Sequence, residues 1–339
     1  MRAYPTDNYE NIAIIGNSSY DIKFMYYLFK SQGLNVIFDP IFEIDKANLE
    51  KDKILKNIAY FFGSRGPILF DDKMLRQLFE ENGINKNITI PELSSSNIIN
   101  QIKFCMECDA VYVCNSYGKI SKYMSFILGY LMAKKQEIFF WDDIDESEWL
   151  MSSITQNDNN GLKETVVFPL EIVRVFAFPY LFNIDNKGEK KGVQRNTSFN
   201  INAEEIIETI PKTVVFLGSL RKQLYAIKDQ AYEFKKNGYN VLAPKISKVK
   251  KDNNGFIIFE DDESDDSIII EKDFIEKCLK SEKIIVCDSN GYIGNTVMLE
   301  LGYLIGKGKK ISFIEEPTEK WVIGTVNYLV NQNKKVRKR

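Results

Sequence analysis

The sequence predicts an α/β protein made of two tandem units with mostly parallel sheets, related to each other by an internal duplication. The first observation is a repeat: residues 105–143 align without a gap with residues 278–316 at a constant offset of 173 positions, and about a third of the aligned residues are identical. The second is the alternation of short apolar runs with helical segments in both copies, which is typical of a sheet covered by helices on both faces. We therefore expect two Rossmann-like (flavodoxin-like) units in one chain.

The elements are predicted in the same order in both copies. Each copy opens with a short apolar run that ends in glycine, at 12–16 and 214–218, which predicts a buried strand followed by an amphipathic helix. A second strand is expected after Gly33 and after Gly238. Then follow a helix, a strand at 111–114 or 284–287, another helix, and a last strand at 138–141 or 311–314. Ligands on such sheets bind at the carboxyl ends of the strands, so we expect the site near Gly218 and Asp288.

The repeat divides the chain into three segments. Residues 1–144 form the first copy, which we call the first half, and residues 212–339 form the second copy, which we call the second half. Residues 145–211 lie between them and contain the loop-like stretches NDNNG and DNKGEKKG. We expect this middle segment to be a connector that packs against one or both halves.

Composition limits the classes of partner. Hydrophobic residues make up 44% of the chain, charged residues make up 27%, and the formal net charge is −2, so the chain is globular and has little to attract nucleic acid. No segment has the roughly 18 uncharged apolar residues that a membrane helix needs, and the first residues, MRAYPTDNYE, do not form a signal peptide. Five cysteines without an extracellular signature favour a reducing compartment. We expect a cytoplasmic protein that binds neither a membrane nor nucleic acid.

The chain contains no histidine, and this restricts its chemistry. Ser-His-Asp and Cys-His catalysis are excluded. Cys105 and Cys108 form the only CxxC pair in the sequence, so a zinc site is not predicted, and we expect neither a metal nor a cofactor. Any acid–base catalysis must then use Asp, Glu, Lys or Tyr.

Glu300 lies in a predicted helix that is apolar on every side, where carboxylates are rare unless they are paired or functional. The repeat provides a comparison, because the first half has Ile127 at the aligned position and so folds without the carboxylate. Asp288 is replaced as well, by Asn115. This joint loss favours a functional role for both carboxylates in the second half. The other interpretation is structural: Glu300 pairs with a lysine or caps a backbone group.

The segment DSNGYIGNTVMLE at 288–300, followed by GY and GK, resembles the nucleoside 2-deoxyribosyltransferase superfamily, which includes nucleotide N-glycosidases. The resemblance covers most of 213–316 and, in a degraded form, 11–143. It implies that Glu300 is the nucleophile that attacks the anomeric carbon, and that Asp288 is the acid/base that handles the proton of the departing base. The residues assigned to substrate binding are Gly218, Ser219, Asn290, Gly291, Tyr292 and Thr296.

The implied reaction explains why two carboxyl groups are needed. A glycosidic bond breaks through an oxocarbenium-like state, so one carboxylate captures C1′ while an acid protonates the leaving base. The resulting ester then passes to a second base or to water. The expected substrate is a nucleoside or a nucleotide. Arg221 and Lys222, near the start of the helix after Gly218, would favour a nucleotide if they bind phosphate, and are otherwise solvated helix residues.

Two alternatives are considered. The Lonely Guy phosphoribohydrolases use a P-G-G-x-G-T-x-x-E loop, and this family ranks lower because the chain lacks both the P-G-G run and the T-x-x-E spacing. The alternative function is a non-catalytic nucleotide-binding sensor or regulatory module that uses the same pocket. In either case the duplication predicts that the two halves pack as a pseudo-dimer in which the first half completes the pocket of the second. Homo-oligomerisation of the whole chain is left open.

Overall fold

The computed structural model describes residues 11–16, 19–31, 35–38, 56, 93–115, 120–140, 212–245, 247–253 and 256–337. Within these ranges the protein is α/β and contains two four-stranded sheets in which every strand is parallel to its neighbours. This confirms the predicted fold class. The predicted connector, 145–211, lies outside the described residues.

The first half contains four strands and three helices. They are β1 (Ile12–Gly16), α1 (Ser19–Ser31), β2 (Val36–Phe38), α2 (Ser95–Met106), β3 (Ala110–Cys114), α3 (Lys122–Ala133) and β4 (Glu137–Phe140). The sheet order is β2-β1-β3-β4. Strands β1 and β3 are buried along their whole length, which explains why their sequences, IAIIG and AVYVC, are apolar without alternation.

The second half repeats this topology and extends it. Its elements are β5 (Thr213–Leu217), α4 (Leu220–Lys236), β6 (Asn240–Ala243), β7 (Val249–Asn253), β8 (Phe256–Phe259), α5 (Ser267–Lys280), β9 (Lys283–Val286), α6 (Asn295–Gly306), β10 (Ile311–Phe313) and α7 (Trp321–Arg337). The sheet order β6-β5-β9-β10 matches that of the first half. Strands β5, β9 and β10 begin and end within one residue of the bounds predicted from the sequence. The antiparallel hairpin β7–β8 and helix α7 were not predicted.

Helices α3 and α6 pack against each other and join the two halves. Gly129 of α3 and Gly302 of α6 are equivalent under the 173-residue offset, and both lie where the helices cross. A Cβ atom on Gly129 would clash with the carbonyl oxygen of Leu299, and one on Gly302 would clash with that of Phe126, the residue equivalent to Leu299. The contact is therefore reciprocal, as in a two-fold symmetric dimer, although both partners belong to one chain.

One hydrophobic core extends through both halves. It contains apolar residues of α2, α3, α5 and α6 together with one face of each parallel sheet. Helix α7 of the second half reaches across to α2, where the Ser95 hydroxyl donates to the Trp321 carbonyl oxygen at 2.9 Å and the Trp321 ring meets Phe126 edge-on. Because α6 lies inside this core, it is buried continuously from Val297 to Gly306. None of the helices among the described residues is long and apolar enough to cross a membrane.

Candidate active site

A cavity of about 470 Å³ opens at the carboxyl ends of β5 and β6 in the second half. This is the edge of a parallel sheet at which ligands usually bind. One wall comes from the turn between β5 and α4, another from the residues after β6 and the hairpin, and a third from α5 and the start of α6. The lining residues are Phe216, Gly218, Ser219, Leu220, Arg221, Ala243, Pro244, Lys245, Phe256, Ile257, Phe259, Asp262, Ile270, Glu271, Asp273, Phe274, Lys277, Tyr292, Gly294, Asn295, Thr296, Val297 and Glu300.

Two buried carboxyl groups line this cavity. Glu300 is 5% exposed on α6, and Glu271 is 7% exposed on α5. Oε2 of Glu271 has no hydrogen-bond partner among the described residues. Carboxylates in such places are rare, because burial removes their hydration without a compensating bond. The predicted nucleophile is thus accompanied by a second carboxyl group that the sequence did not single out.

The electrostatics of this pair favour one proton and one charge near neutral pH. Burial raises the pKa of Glu271 to about 7. Burial, together with the charge of Glu271, raises the pKa of Glu300 well above its ordinary value. Two close carboxyl groups resist double ionisation, because the second negative charge would face the first in a poorly hydrated place. The pair can therefore offer a carboxylate and a carboxylic acid at the same time.

The first half has lost both members of the pair. The 173-residue offset places Glu271 opposite Ile98 on α2 and Glu300 opposite Ile127 on α3, and both isoleucines are fully buried. The position of Thr296 is taken by Tyr123, which is buried and donates its hydroxyl to the carbonyl oxygen of Gly16 at 2.7 Å. The helices that carry these residues are retained, so neither carboxylate is needed for the fold.

Asp288, the predicted acid/base, lies outside the cavity lining. It is fully buried just after β9, and its Oδ1 accepts a hydrogen bond from the backbone N–H of Glu315 at 3.0 Å. Burial raises the pKa of Asp288, while backbone N–H groups, that of Glu315 first, act to lower it. The equivalent Asn115 is also buried. This hydrogen bond joins Asp288 to the loop after β10.

Asn290 and Gly291 also lie outside the lining. They form a short 3-10 turn in which φ is +57° at Asn290 and +69° at Gly291. The turn is joined to the loop after β10: the Asn290 N–H donates to Glu315 Oε2 at 2.9 Å, and the Thr318 N–H donates to the Gly291 carbonyl oxygen at 2.9 Å. A Cβ on Gly291 would lie 2.5 Å from the Glu316 carbonyl oxygen, so this close approach requires glycine. The contacts of the turn within the described residues are structural.

The remaining predicted residues meet Glu300 at the cavity. Gly218, Ser219, Tyr292 and Thr296 all line it. Gln223 connects two of them, because its Oε1 accepts from the Ser219 N–H at 3.2 Å and its Nε2 donates to the Tyr292 carbonyl oxygen at 3.1 Å.

The ring of Tyr292 is held by cations from both halves. Lys222 Nζ lies 3.9 Å from its centroid, and Lys122 Nζ, from α3 of the first half, lies 4.8 Å away. Lys122 also pairs with Glu319. In addition, the Asn295 side chain, which lines the cavity, donates to the Ile120 carbonyl oxygen at 2.9 Å. The first half therefore contacts two residues of the cavity wall.

Gly218 has a packing role in this arrangement. A Cβ at this position would lie 2.9 Å from the Ile227 side chain and 3.0 Å from the Cys287 carbonyl oxygen. A Cβ on Gly16 in the first half would lie 2.7 Å from the Cys114 carbonyl oxygen. Close packing against the neighbouring strand explains why both halves have glycine here. The glycine therefore does not by itself indicate a ligand site.

Sequence reasoning missed Glu271 and the aromatic wall of the hairpin. Glu271 could have been found by continuing the offset alignment seven residues before Cys105 and Cys278, where Ile98 meets Glu271. The hairpin residues Phe256 and Phe259 have no aligned counterpart, so the repeat gives no signal for them. Among the described residues there is no group of three Cys, Asp or Glu side chains that could hold a metal ion.

Comparisons of the chain with protein-family models, with curated proteins and with solved structures gave no match. Function is therefore inferred from the cavity and its side chains.

Proposed function

We propose that the second half cleaves the N-glycosidic bond of a nucleoside or nucleotide and passes the sugar to water or to a second base, as the resemblance to nucleoside 2-deoxyribosyltransferases implies. The observation that carries this proposal is the buried pair Glu271 and Glu300 in a cavity at the carboxyl ends of parallel strands. Glycoside cleavage is a reaction that uses two carboxyl groups in different protonation states.

In the proposed reaction Glu300 is the nucleophile and Glu271 is the acid/base. Because the negative charge of Glu271 raises the pKa of Glu300, the pair holds its single proton on Glu300 before substrate binds, and the reactive form requires that proton to be on Glu271. The bond between C1′ and the base nitrogen breaks, its electron pair stays with the base, and an oxygen of Glu300 forms an ester with C1′. Glu271 supplies the proton that a neutral leaving base requires. It then removes a proton from the water, or from the acceptor base, that attacks the ester. This assignment replaces Asp288 with Glu271, because Asp288 lies outside the cavity lining.

The walls of the cavity suit a base attached to a sugar. Phe216, Phe256, Phe259 and Phe274 provide apolar aromatic surface, while Ser219 and Thr296 provide hydroxyl groups. Aromatic side chains bury planar rings favourably, and a few polar groups are enough to orient a ligand. The carboxyl pair lies on the helices that border the same space.

The first test is chromatographic detection of free base. The whole chain is incubated with nucleosides, deoxynucleosides, their monophosphates and NAD, beside Glu300→Gln, Glu271→Gln and the matched control Glu276→Gln. Glu276 is an exposed residue of α5 paired with Lys280. Base release should fall by at least about 10²-fold in the first two variants, on the scale of a lost acid–base group, and stay unchanged in the control. Equal release by wild type and Glu300→Gln would remove Glu300 from its role, and tight binding without release would favour the sensor.

A second test separates the two carboxyl groups. A substrate analogue with fluorine at C2′ destabilises the oxocarbenium-like state and slows loss of the sugar from the enzyme. The mass of the intact protein should increase by that of the fluorinated sugar, and the label should map to Glu300. Glu300→Gln should not be labelled, whereas Glu271→Gln should still accept a sugar from an analogue with a good leaving group. A label on Glu271 would reverse the two assignments.

A further inference from the structure

The basic side chains that line the cavity are already engaged or lie at its rim. Lys277 pairs with Asp273 at 2.5 Å, and Lys245 donates to the backbone carbonyl of Asp261. Arg221, at the start of α4, is exposed. Among the described residues, none of these three cations forms an ion pair with a carboxyl group at the buried end of the cavity.

Glu271 and Glu300 lie at that buried end. Burial raises the pKa of both groups, the charge of Glu271 raises that of Glu300 further, and no basic side chain among the described residues acts to lower either pKa. The unpartnered Oε2 of Glu271 belongs to the same pair. A negative charge in this place has no basic ion-pair partner among the residues that the structure describes, and a ligand could provide the counter-charge.

The surface next to the pair is apolar and aromatic. Phe216 at the end of β5, Phe256 and Phe259 of the hairpin, and Phe274 of α5 line the same cavity as the two carboxyl groups. A ring cation can lie against such faces, because the aromatic quadrupole attracts positive charge while the ring planes bury apolar area.

We propose, on the basis of the proposed function, that the glycoside cleaved here carries a cationic aromatic base, a pyridinium ring of the nicotinamide type linked through its nitrogen to the sugar. Such a ring combines the two properties that the cavity selects: a positive charge to face the carboxyl pair and a planar apolar body to face the phenylalanines. Its charge is delocalised and weakly hydrated, so it loses less on burial than an ammonium group would.

The chemistry of the leaving group agrees with this assignment. When the bond between C1′ and a pyridinium nitrogen breaks, the electron pair moves to that nitrogen and the ring departs neutral, without a proton from the protein. Glu300 forms the ester with C1′. Glu271 then acts in the second step, where it takes a proton from the water that attacks the ester. In the first step its role is to provide negative charge next to the ring.

The test measures binding and does not require turnover. Calorimetry at pH 8 compares the cation 1-methylnicotinamide with neutral nicotinamide, which lacks the charge and has nearly the same shape. The whole chain should bind the cation about tenfold more tightly than the neutral ring, in line with one partly desolvated cation–π and ion-pair contact. Glu276→Gln should keep this preference, and Glu271→Gln combined with Glu300→Gln should lose it.

The outcomes separate this proposal from the proposed function. Equal or tighter binding of the neutral ring, or a preference that persists in the double variant, would overturn the cationic base. The cationic base would also be overturned if the protein released neutral purines or pyrimidines through Glu300 and did not cleave nicotinamide mononucleotide. That result would still support glycosidic cleavage. If the double Gln variant does not fold, Glu271→Ile with Glu300→Ile replaces it, because the first half accommodates isoleucine at both positions.

Discussion

At the scale of single residues, the feature that most distinguishes the two halves is the carboxyl pair. Glu271 and Glu300 are buried where the first half has Ile98 and Ile127. Apolar side chains in these places bury surface without losing hydration, whereas carboxyl groups lose hydration and repel each other. The second half therefore keeps an arrangement that does not favour its stability, which is expected at functional sites.

The pair makes stability depend on pH. The folded pKa of Glu271 is raised from 4.5 to about 7, so the folded state binds this proton more tightly than the unfolded state does. The stabilising effect is fully present below pH 4.5 and is lost as the pH rises to about 7. As the pH rises from 4.5 to 7, the unfolding free energy of Glu271→Gln should increase relative to that of wild type by on the order of 3 kcal/mol, since one pKa unit corresponds to about 1.4 kcal/mol.

Urea unfolding at several pH values measures this difference. Glu276→Gln, on the same helix but exposed, should follow the wild-type pH profile. A difference between Glu271→Gln and wild type that does not change between pH 4.5 and 7 would show that Glu271 titrates normally.

Asp288→Asn tests the assignment of the acid/base. The amide oxygen of asparagine can accept the Glu315 N–H as the carboxylate does, and the first half already has Asn115 at this position. Base release should therefore fall by less than about tenfold, against about 10²-fold for Glu271→Gln. If Asp288→Asn abolishes base release while the fold is retained, the acid/base is Asp288 and the geometry of the cavity changes on substrate binding.

At the scale of elements, the helix crossing between α3 and α6 fixes where the carboxyl groups lie. The reciprocal approach of Gly129 and Gly302 to the opposite backbones brings the two helices together, and this explains why GYL recurs at 129–131 and 302–304. Helix α5 packs beside α6 and brings Glu271 to Glu300. The sequence predicted the helices, but the second carboxyl group depends on a contact between elements that are far apart in the chain.

Gly302→Ala tests the crossing. The added methyl group would meet the Phe126 carbonyl oxygen, which belongs to helical backbone and cannot move aside easily. Unfolding free energy should fall by about 1–3 kcal/mol, the usual effect of overpacking. Gly294→Ala is the comparison variant, because its Cβ would have no neighbour nearer than 3.7 Å; as the N-cap residue of α6 it should lose less than about 1 kcal/mol, and less than Gly302→Ala does. A loss of stability in Gly302→Ala no larger than that in Gly294→Ala, in thermal or urea unfolding, would contradict the close approach.

At the scale of the whole molecule, the two halves share one core and contribute to one cavity. The first half has isoleucine at both positions equivalent to the carboxyl pair, yet its α3 covers α6, and its Lys122 and Ile120 contact Tyr292 and Asn295 of the cavity wall. Helix α7 makes the reverse crossing to α2. The first half therefore acts as the structural partner of the second.

This arrangement predicts that the halves associate when the chain is divided. Residues 1–211 and 212–339, produced together as separate chains with a tag on one, should copurify, because the interface between α3 and α6 is apolar and reciprocal. Gly302→Val in the second piece should prevent copurification. Independent elution of the wild-type pieces would mean that the shared core needs the covalent link.

Much of the fold followed from local patterns. Apolar runs such as IAIIG and TVVFL gave strands within one residue of their bounds, since fully buried parallel strands need no polar alternation. The hairpin β7–β8 was missed because its first strand, VKKDN, is mostly polar and, among the described residues, pairs with β8 alone. Of the candidate site, Glu300 and four of the other predicted residues line the cavity, while Asp288, Asn290 and Gly291 face the loop after β10.

The sequence by itself determined the duplication, the strand and helix order, and the presence of a carboxylate in an all-apolar helix, because these depend on residue type and spacing along the chain. Only the tertiary structure decided which groups accompany Glu300. Asp288 is closer to it in sequence, yet the backbone of the loop after β10 binds Asp288, whereas the packing of α5 on α6 brings Glu271 from 29 residues away. Pairing of charges depends on distance through the core, and that distance is set by how helices cross.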